Sequence, residues 1–171
     1  LVFTGSMDWL PNEDAVLFFC KEILPLIWKR KPEVKFYVVG KAPTLAIQDL
    51  AKSESRIVVT GRVDDVRPLM AKSPVFVVPI RVGGGTRLKI LEAMAMQKAV
   101  VSTTVGAEGI KYTDGKDIKI ADQPQAFVDS VVNLLENSSA AAQMGLAARE
   151  LVCGLYDWNI VGLKLKKIYE E

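Results

Sequence analysis

No histidine occurs anywhere in the 171 residues. That excludes a Ser-His-Asp triad, a histidine-ligated metal site and an ordinary imidazole general base. Cysteine is nearly as scarce. Cys20 and Cys153 each sit among apolar residues at helical spacing with no paired pattern, which reads as buried thiols in a reducing compartment. A large net charge is missing too: 22 Lys and Arg against 20 Asp and Glu leave +2, so nucleic acid is not an expected partner. The densest basic cluster, Lys29-Arg30-Lys31, closes an apolar helical pattern and reads as a solvated helix end. No apolar run approaches the length of a bilayer span.

What remains is a globular composition, half apolar and a quarter charged, in a length that fits one domain with a sizeable core. The chain opens on Leu1-Val2-Phe3-Thr4-Gly5, a buried-strand pattern without a polar lead-in, which reads as a fragment whose N-terminal part is missing. Ser6 to Glu13 reads as a connecting loop with a turn at Pro11-Asn12. A helix then begins near Asp14, carries Val16, Phe19, Ile23, Leu26 and Ile27 on one face to about Lys31, and is expected to kink or end early at Pro25.

Strands are predicted at residues 35–40, 56–61, 75–80, 99–103 and 118–120, and helices at 45–52, 64–72 (disturbed near Pro68), 124–136, 139–152 and 159–169. Most strands are continuous apolar runs, so both sheet faces are covered. The expected fold is α/β, a Rossmann-like, doubly wound parallel sheet of about six strands with C-terminal helices, in one domain over residues 1–171.

The most informative stretch is Gly83-Gly84-Gly85-Thr86-Arg87-Leu88-Lys89-Ile90-Leu91-Glu92, which joins the run Val75 to Ile80 to a helical pattern of Leu88, Leu91, Met94 and Ala95. Glycines at a strand-to-helix turn let the backbone approach a ligand, and the helix start directs free N–H groups and a positive dipole end at it. Arg87 and Lys89 add cationic charge, so the stretch reads either as a phosphate cradle or as a tight connection with solvated basic residues. The P-loop pattern fails, because Lys89 lies between Leu88 and Ile90, and the dinucleotide fingerprint fails at Leu88. Glu92, about one turn into the helix, is placed to accept hydrogen bonds from vicinal ribose hydroxyls. Trp9 and Trp158 read as packing residues, and Glu108 as either a donor-site residue or a surface charge.

The ordered set of Phe3-Thr4-Gly5, Val38-Val39-Gly40, Val59-Thr60-Gly61-Arg62-Val63, Val77-Val78-Pro79-Ile80, the glycine loop to Ala95, Gly106 to Gly109 and Tyr156-Asp157-Trp158 closely resembles the donor-binding domain of family 4 (group 1) glycosyltransferases of GT-B fold. The resemblance covers essentially the whole chain. It implies a nucleotide-diphosphate sugar as donor substrate, with no separate cofactor and no metal, and retaining transfer to a glycan or lipid-linked acceptor held mostly by an N-terminal domain of the same polypeptide. By the same resemblance Glu92 would hold the ribose, Gly61, Arg62 and Val63 would border the base, and Gly83, Gly84, Gly85 and Thr86 would face sugar and diphosphate. A cytoplasmic location is expected; the helix that ends in Lys29-Arg30-Lys31 could touch the inner face of a membrane, as in some relatives, but its apolar face is better explained by the core.

Two departures stand out. Many members carry paired glutamates eight residues apart, and the first falls on Gly84. Many also place Arg and Lys after the first strand, where this chain has Ser6 to Glu13 with no basic residue. Arg87 and Lys89 are therefore expected to supply the diphosphate's countercharge from the opposite side of the cleft. A nucleotide-sugar epimerase and a non-catalytic nucleotide-sugar-binding module are the alternatives on the same fold.

Overall fold

A computed structural model describes residues 1–170. Six parallel strands form one sheet: β1 (Val2–Thr4), β2 (Phe36–Val39), β3 (Ile57–Gly61), β4 (Val75–Val78), β5 (Ala99–Ser102) and β6 (Lys119–Ile120). Their order is β3-β2-β1-β4-β5-β6, so the chain winds outward one way from β1, then crosses back to β4 and winds the other way. This is the expected doubly wound architecture. The central strands β1, β4 and β5 are buried at every position, which accounts for their unbroken apolar runs.

The layers are helical. Ahead of β4 they are α1 (Leu10–Phe18), a π-helical turn (Phe19–Ile23), α2 (Leu24–Arg30), α3 (Leu45–Ser53) and α4 (Arg67–Lys72). After it come α5 (Leu88–Ala95), α6 (Pro124–Glu136), α7 (Ser138–Leu155) and α8 (Trp158–Glu170). Phe19 joins the first layer to the core, its ring 4.7 Å from Phe36 and 5.9 Å edge-on from Phe127.

Several boundaries differ from the sequence reading. Helix α1 begins at Leu10, not near Asp14, because Pro11 falls in the first turn, where its missing N–H costs nothing. Pro25 neither ends nor sharply breaks the long helix. It cannot donate to the Lys21 carbonyl and would clash with it, so the helix widens just before it and Leu24 N–H bonds to Phe19 O instead. Helix α4 starts at Arg67 with Pro68 in its first turn, leaving Asp64 to Val66 outside it.

The thiol expectation holds for one cysteine only. Cys20 is buried, and desolvation pushes its thiol up to about 12, whereas Cys153 lies on the exposed side of α7. Trp9 and Trp158 are also exposed, at 62% and 87%, rather than packed. No described helix is long and apolar enough to cross a membrane.

Candidate functional site

The winding of the sheet reverses between β1 and β4, and that reversal is where an open α/β sheet leaves a crevice at its carboxyl edge. Here the two strands share the single register pair Val2↔Phe76, whereas β4 and β5 share four pairs. At their carboxyl ends β1 leads into Gly5-Ser6 and β4, through Pro79 to Val82, into the glycine loop.

A cleft of about 630 Å³ fills this gap, lined among others by Gly5, Gly40, Lys41, Arg62, Lys89 and Glu92. Its floor depends on two glycines. A Cβ on Gly40 would collide with the Gly5 carbonyl, and one on Gly5 would stand 2.7 Å from Asn12 Nδ2 and 2.8 Å from Lys89 Nζ. Both strand ends can therefore approach each other without filling the cleft.

The glycine loop is held at three places. Its root is fixed by a buried hydroxyl: Thr103 Oγ1 donates to Ile80 O and accepts from Gly106 N–H, while Ser102 Oγ donates to Thr103 O at 2.9 Å and lies 3.3 Å from Val78 O. Gly83, at φ +90°, packs beside Pro11, where a Cβ would lie 2.9 Å from the proline Cγ. Thr86 seats against Gly109, whose φ of +77° and lack of a Cβ admit the threonine hydroxyl. Among the described residues, the amides of Gly83, Gly84, Gly85 and Thr86 donate no hydrogen bond. These are four free donors in the loop that leads into α5.

The two candidate cations take different positions. Lys89 crosses the crevice: its Nζ donates to Asn12 Oδ1 at 2.7 Å and lies 4.0 Å from the centre of the Phe3 ring. Burial pulls its pKa down from 10.5 to about 7, with Arg87 adding to the fall and Glu92 opposing it. Arg87 folds back under its own loop, where Nη1 donates to Gly84 O at 2.9 Å while Nε and Nη2 are buried without partners.

Arg62, Val63, Lys89 and Glu92 thus share one cleft. Glu92 is exposed on the ridge between that cleft and a neighbouring one of about 420 Å³ that includes Val66, Arg67 and Met96. Gly83 lines a different cleft, and Gly84, Gly85, Thr86 and Arg87 line neither of the two. Gly61 lies just outside the first cleft, its carbonyl accepting from Gly40 N–H. Asn12 had no sequence signal as a site residue. It is a buried polar residue in the first turn of α1 that bridges Ser6 O and Lys89.

The model of the family described as glycosyl transferases group 1 matches residues 1–137. A phosphatidyl-myo-inositol mannosyltransferase from Mycobacterium tuberculosis is 26% identical over 99% of this chain and 46% of its own length. Among solved structures, a mutant TarM from S. aureus, crystallised with Fondaparinux, alpha-GlcNAc-glycerol and UDP, superposes with a TM-score of 0.83 at 20% identity, covering 99% of this chain and 35% of that one. HepE from Anabaena, in complex with UDP and glucose, gives 0.77 at 17% identity over 99% of this chain and 48% of its own. The chain spans less than half the length of the curated relatives it matches first. A family match over residues 1–137, on a sheet whose switch point carries the glycine loop, makes this chain a member of the group 1 glycosyl transferases.

Proposed function

We propose that this chain is the donor-binding half of a retaining, metal-independent glycosyltransferase that moves a sugar from a nucleoside diphosphate to a glycan or lipid-linked acceptor. The observation that carries the reading is the meeting of opposite chemistries across one crevice. Lys89 and Glu92 line the same cleft, a cation beside an acceptor for hydroxyls one helical turn further on, and the loop that leads into their helix carries four amides with no hydrogen-bond partner. The buried, unpartnered Nε and Nη2 of Arg87 add two donors behind the same loop.

In this reading Glu92 holds the ribose, and Gly61, Arg62 and Val63 border the base. The loop from Gly83 to Thr86, with Arg87 and Lys89, receives the diphosphate. During transfer the bond between the anomeric carbon and the diphosphate oxygen breaks, and its electron pair leaves on that oxygen. The acceptor hydroxyl oxygen forms the new bond to the anomeric carbon and passes its proton to the departing diphosphate oxygen. Fixed donors aimed at the departing charge lower the barrier without rearranging. The acceptor would be held by an N-terminal domain of the same polypeptide. The name of one relative, a GDP-mannose-dependent mannosyltransferase from Mycolicibacterium smegmatis, and the UDP in two structural neighbours make GDP and UDP the nucleotides to try first.

Calorimetric titration of the 171-residue chain with GDP, UDP and ADP tests the reading. One diphosphate should bind, and Lys89→Met should weaken it about tenfold, as expected for a lost charge-assisted hydrogen bond. If none of the three binds, the proposal fails.

A further inference from the structure

The glycine loop has a second side. Beyond it lies a cleft of about 540 Å³ whose lining includes Arg81, Gly83, Thr104, Glu108, Gly109 and Tyr112. Two polar side chains there are already engaged. Arg81 is held by Asp14 through bonds of 3.1 and 2.6 Å and lies over the Phe18 ring, and Thr104 is bonded through both amide and hydroxyl to Asp122. Glu108 differs: among the described residues its carboxylate takes part in no hydrogen bond or ion pair.

Its position is set by the backbone. Ala107 N–H bonds to Thr103 O, Glu108 N–H to Val105 O and Ile110 N–H to Ala107 O, so the residue sits in a closed turn rather than on a loose loop. The next residue, Gly109, is pressed against Thr86. Glu108 Oε2 consequently lies 3.6 Å from the point a Cβ on Gly84 would occupy, over the middle of the glycine loop.

We propose that Glu108 is a specificity-determining residue that accepts hydrogen bonds from hydroxyls of the donor's sugar. This rests on the proposed nucleotide-sugar reading. If the ribose lies toward Glu92 and the diphosphate at the loop amides beside Lys89, the group on the far phosphate emerges on the other side of the loop, where Glu108 stands. An ionised carboxylate repels phosphate but offers two oxygens to adjacent hydroxyls, which suits the uncharged polyhydroxylated end of such a ligand. Gly84 leaves open the space through which the carboxylate reaches it.

The test compares sugar-bearing with bare nucleotides on the 171-residue chain and its Glu108→Gln and Glu108→Ala variants, using GDP against GDP-mannose and UDP against UDP-glucose. Glu108 is exposed, so both variants should unfold at the parent's midpoint. Affinity for the bare diphosphate should stay within about twofold, while affinity for the matching nucleotide sugar falls about tenfold. Unchanged affinity for the nucleotide sugar would make Glu108 a surface charge and overturn the proposal. Equal losses for bare and sugar-bearing nucleotide would make it a support for the loop, which also overturns it. Failure of the parent chain to bind any of the four would remove the nucleotide-sugar reading itself, and this proposal with it.

Discussion

Lys89 does at the residue scale what a histidine does in other sites, since burial has moved its titration to about pH 7. Its folded pKa lies below the value of 10.5 that it has when solvated, so between pH 7 and 10.5 the native chain holds fewer protons than the unfolded one. Stability therefore rises with pH across that window and is lost as pH falls toward 7. The stability of Lys89→Met relative to the parent should therefore improve as pH falls from 9.5 to 7 in urea unfolding, whatever the loss of the bond to Asn12 costs at every pH. A bound diphosphate favours the ammonium form, so affinity should decline from pH 7 to 9 in the parent and stay flat in the variant.

Thr103 offers a second test at the same scale. Its hydroxyl is buried and serves both Ile80 O and Gly106 N–H, so Thr103→Val should cost about 1–3 kcal/mol in denaturant unfolding. Neither contact could be read from the chain. The glycine loop was legible because its signals are local: an apolar run, three glycines, then helical spacing. Asn12 was not, because its partner Lys89 is 77 residues away and only the sheet's crossover brings them together.

Helix α7 separates packing from propensity at the scale of the element. An interior glycine ordinarily weakens a helix, so replacing it with alanine should help. Gly154 has nothing within 4 Å of its missing Cβ, and Gly154→Ala should stabilise by about 0.5–1 kcal/mol. Gly145 instead presses on the Gln97 carbonyl at the turn between α5 and β5, so a methyl group there would force the helix away. Gly145→Ala should destabilise by about 1–3 kcal/mol. Thermal unfolding of the two variants should therefore shift in opposite directions.

The same contrast explains which elements the sequence revealed. Helix α6 begins and ends where its pattern does, at Pro124 and Glu136, because proline at the start and an apolar stripe are both local features. The start of α1 was misplaced because Pro11-Asn12 carries a turn signal that is equally a helix-start signal, and only the following backbone decides between them. The π-helical turn before Pro25 is a compromise between a proline and a helix whose apolar face is held by the core, and no propensity scale contains that competition.

At the scale of the whole molecule, stability is unevenly spread. Helix α8 has no buried residue among those described, with Trp158, Ile168 and Tyr169 at 87%, 70% and 82% exposure, whereas β1, β4 and β5 are buried throughout. Hydrogen exchange should show α8 amides opening on the order of a hundredfold or more faster than those of the three strands.

The lone pair Val2↔Phe76 has a further meaning at this scale. It divides the sheet into two half-sheets, with Gly5, Asn12 and Gly40 on one and Lys89, Glu92 and the glycine loop on the other. The Lys89–Asn12 bond joins the two halves across this line. A nucleotide that spans the crevice would touch both halves. Its tightness would then be recorded as slowed exchange in the middle of the sheet, at the backbone amides beside Val2 and Phe76, which lie out of its reach.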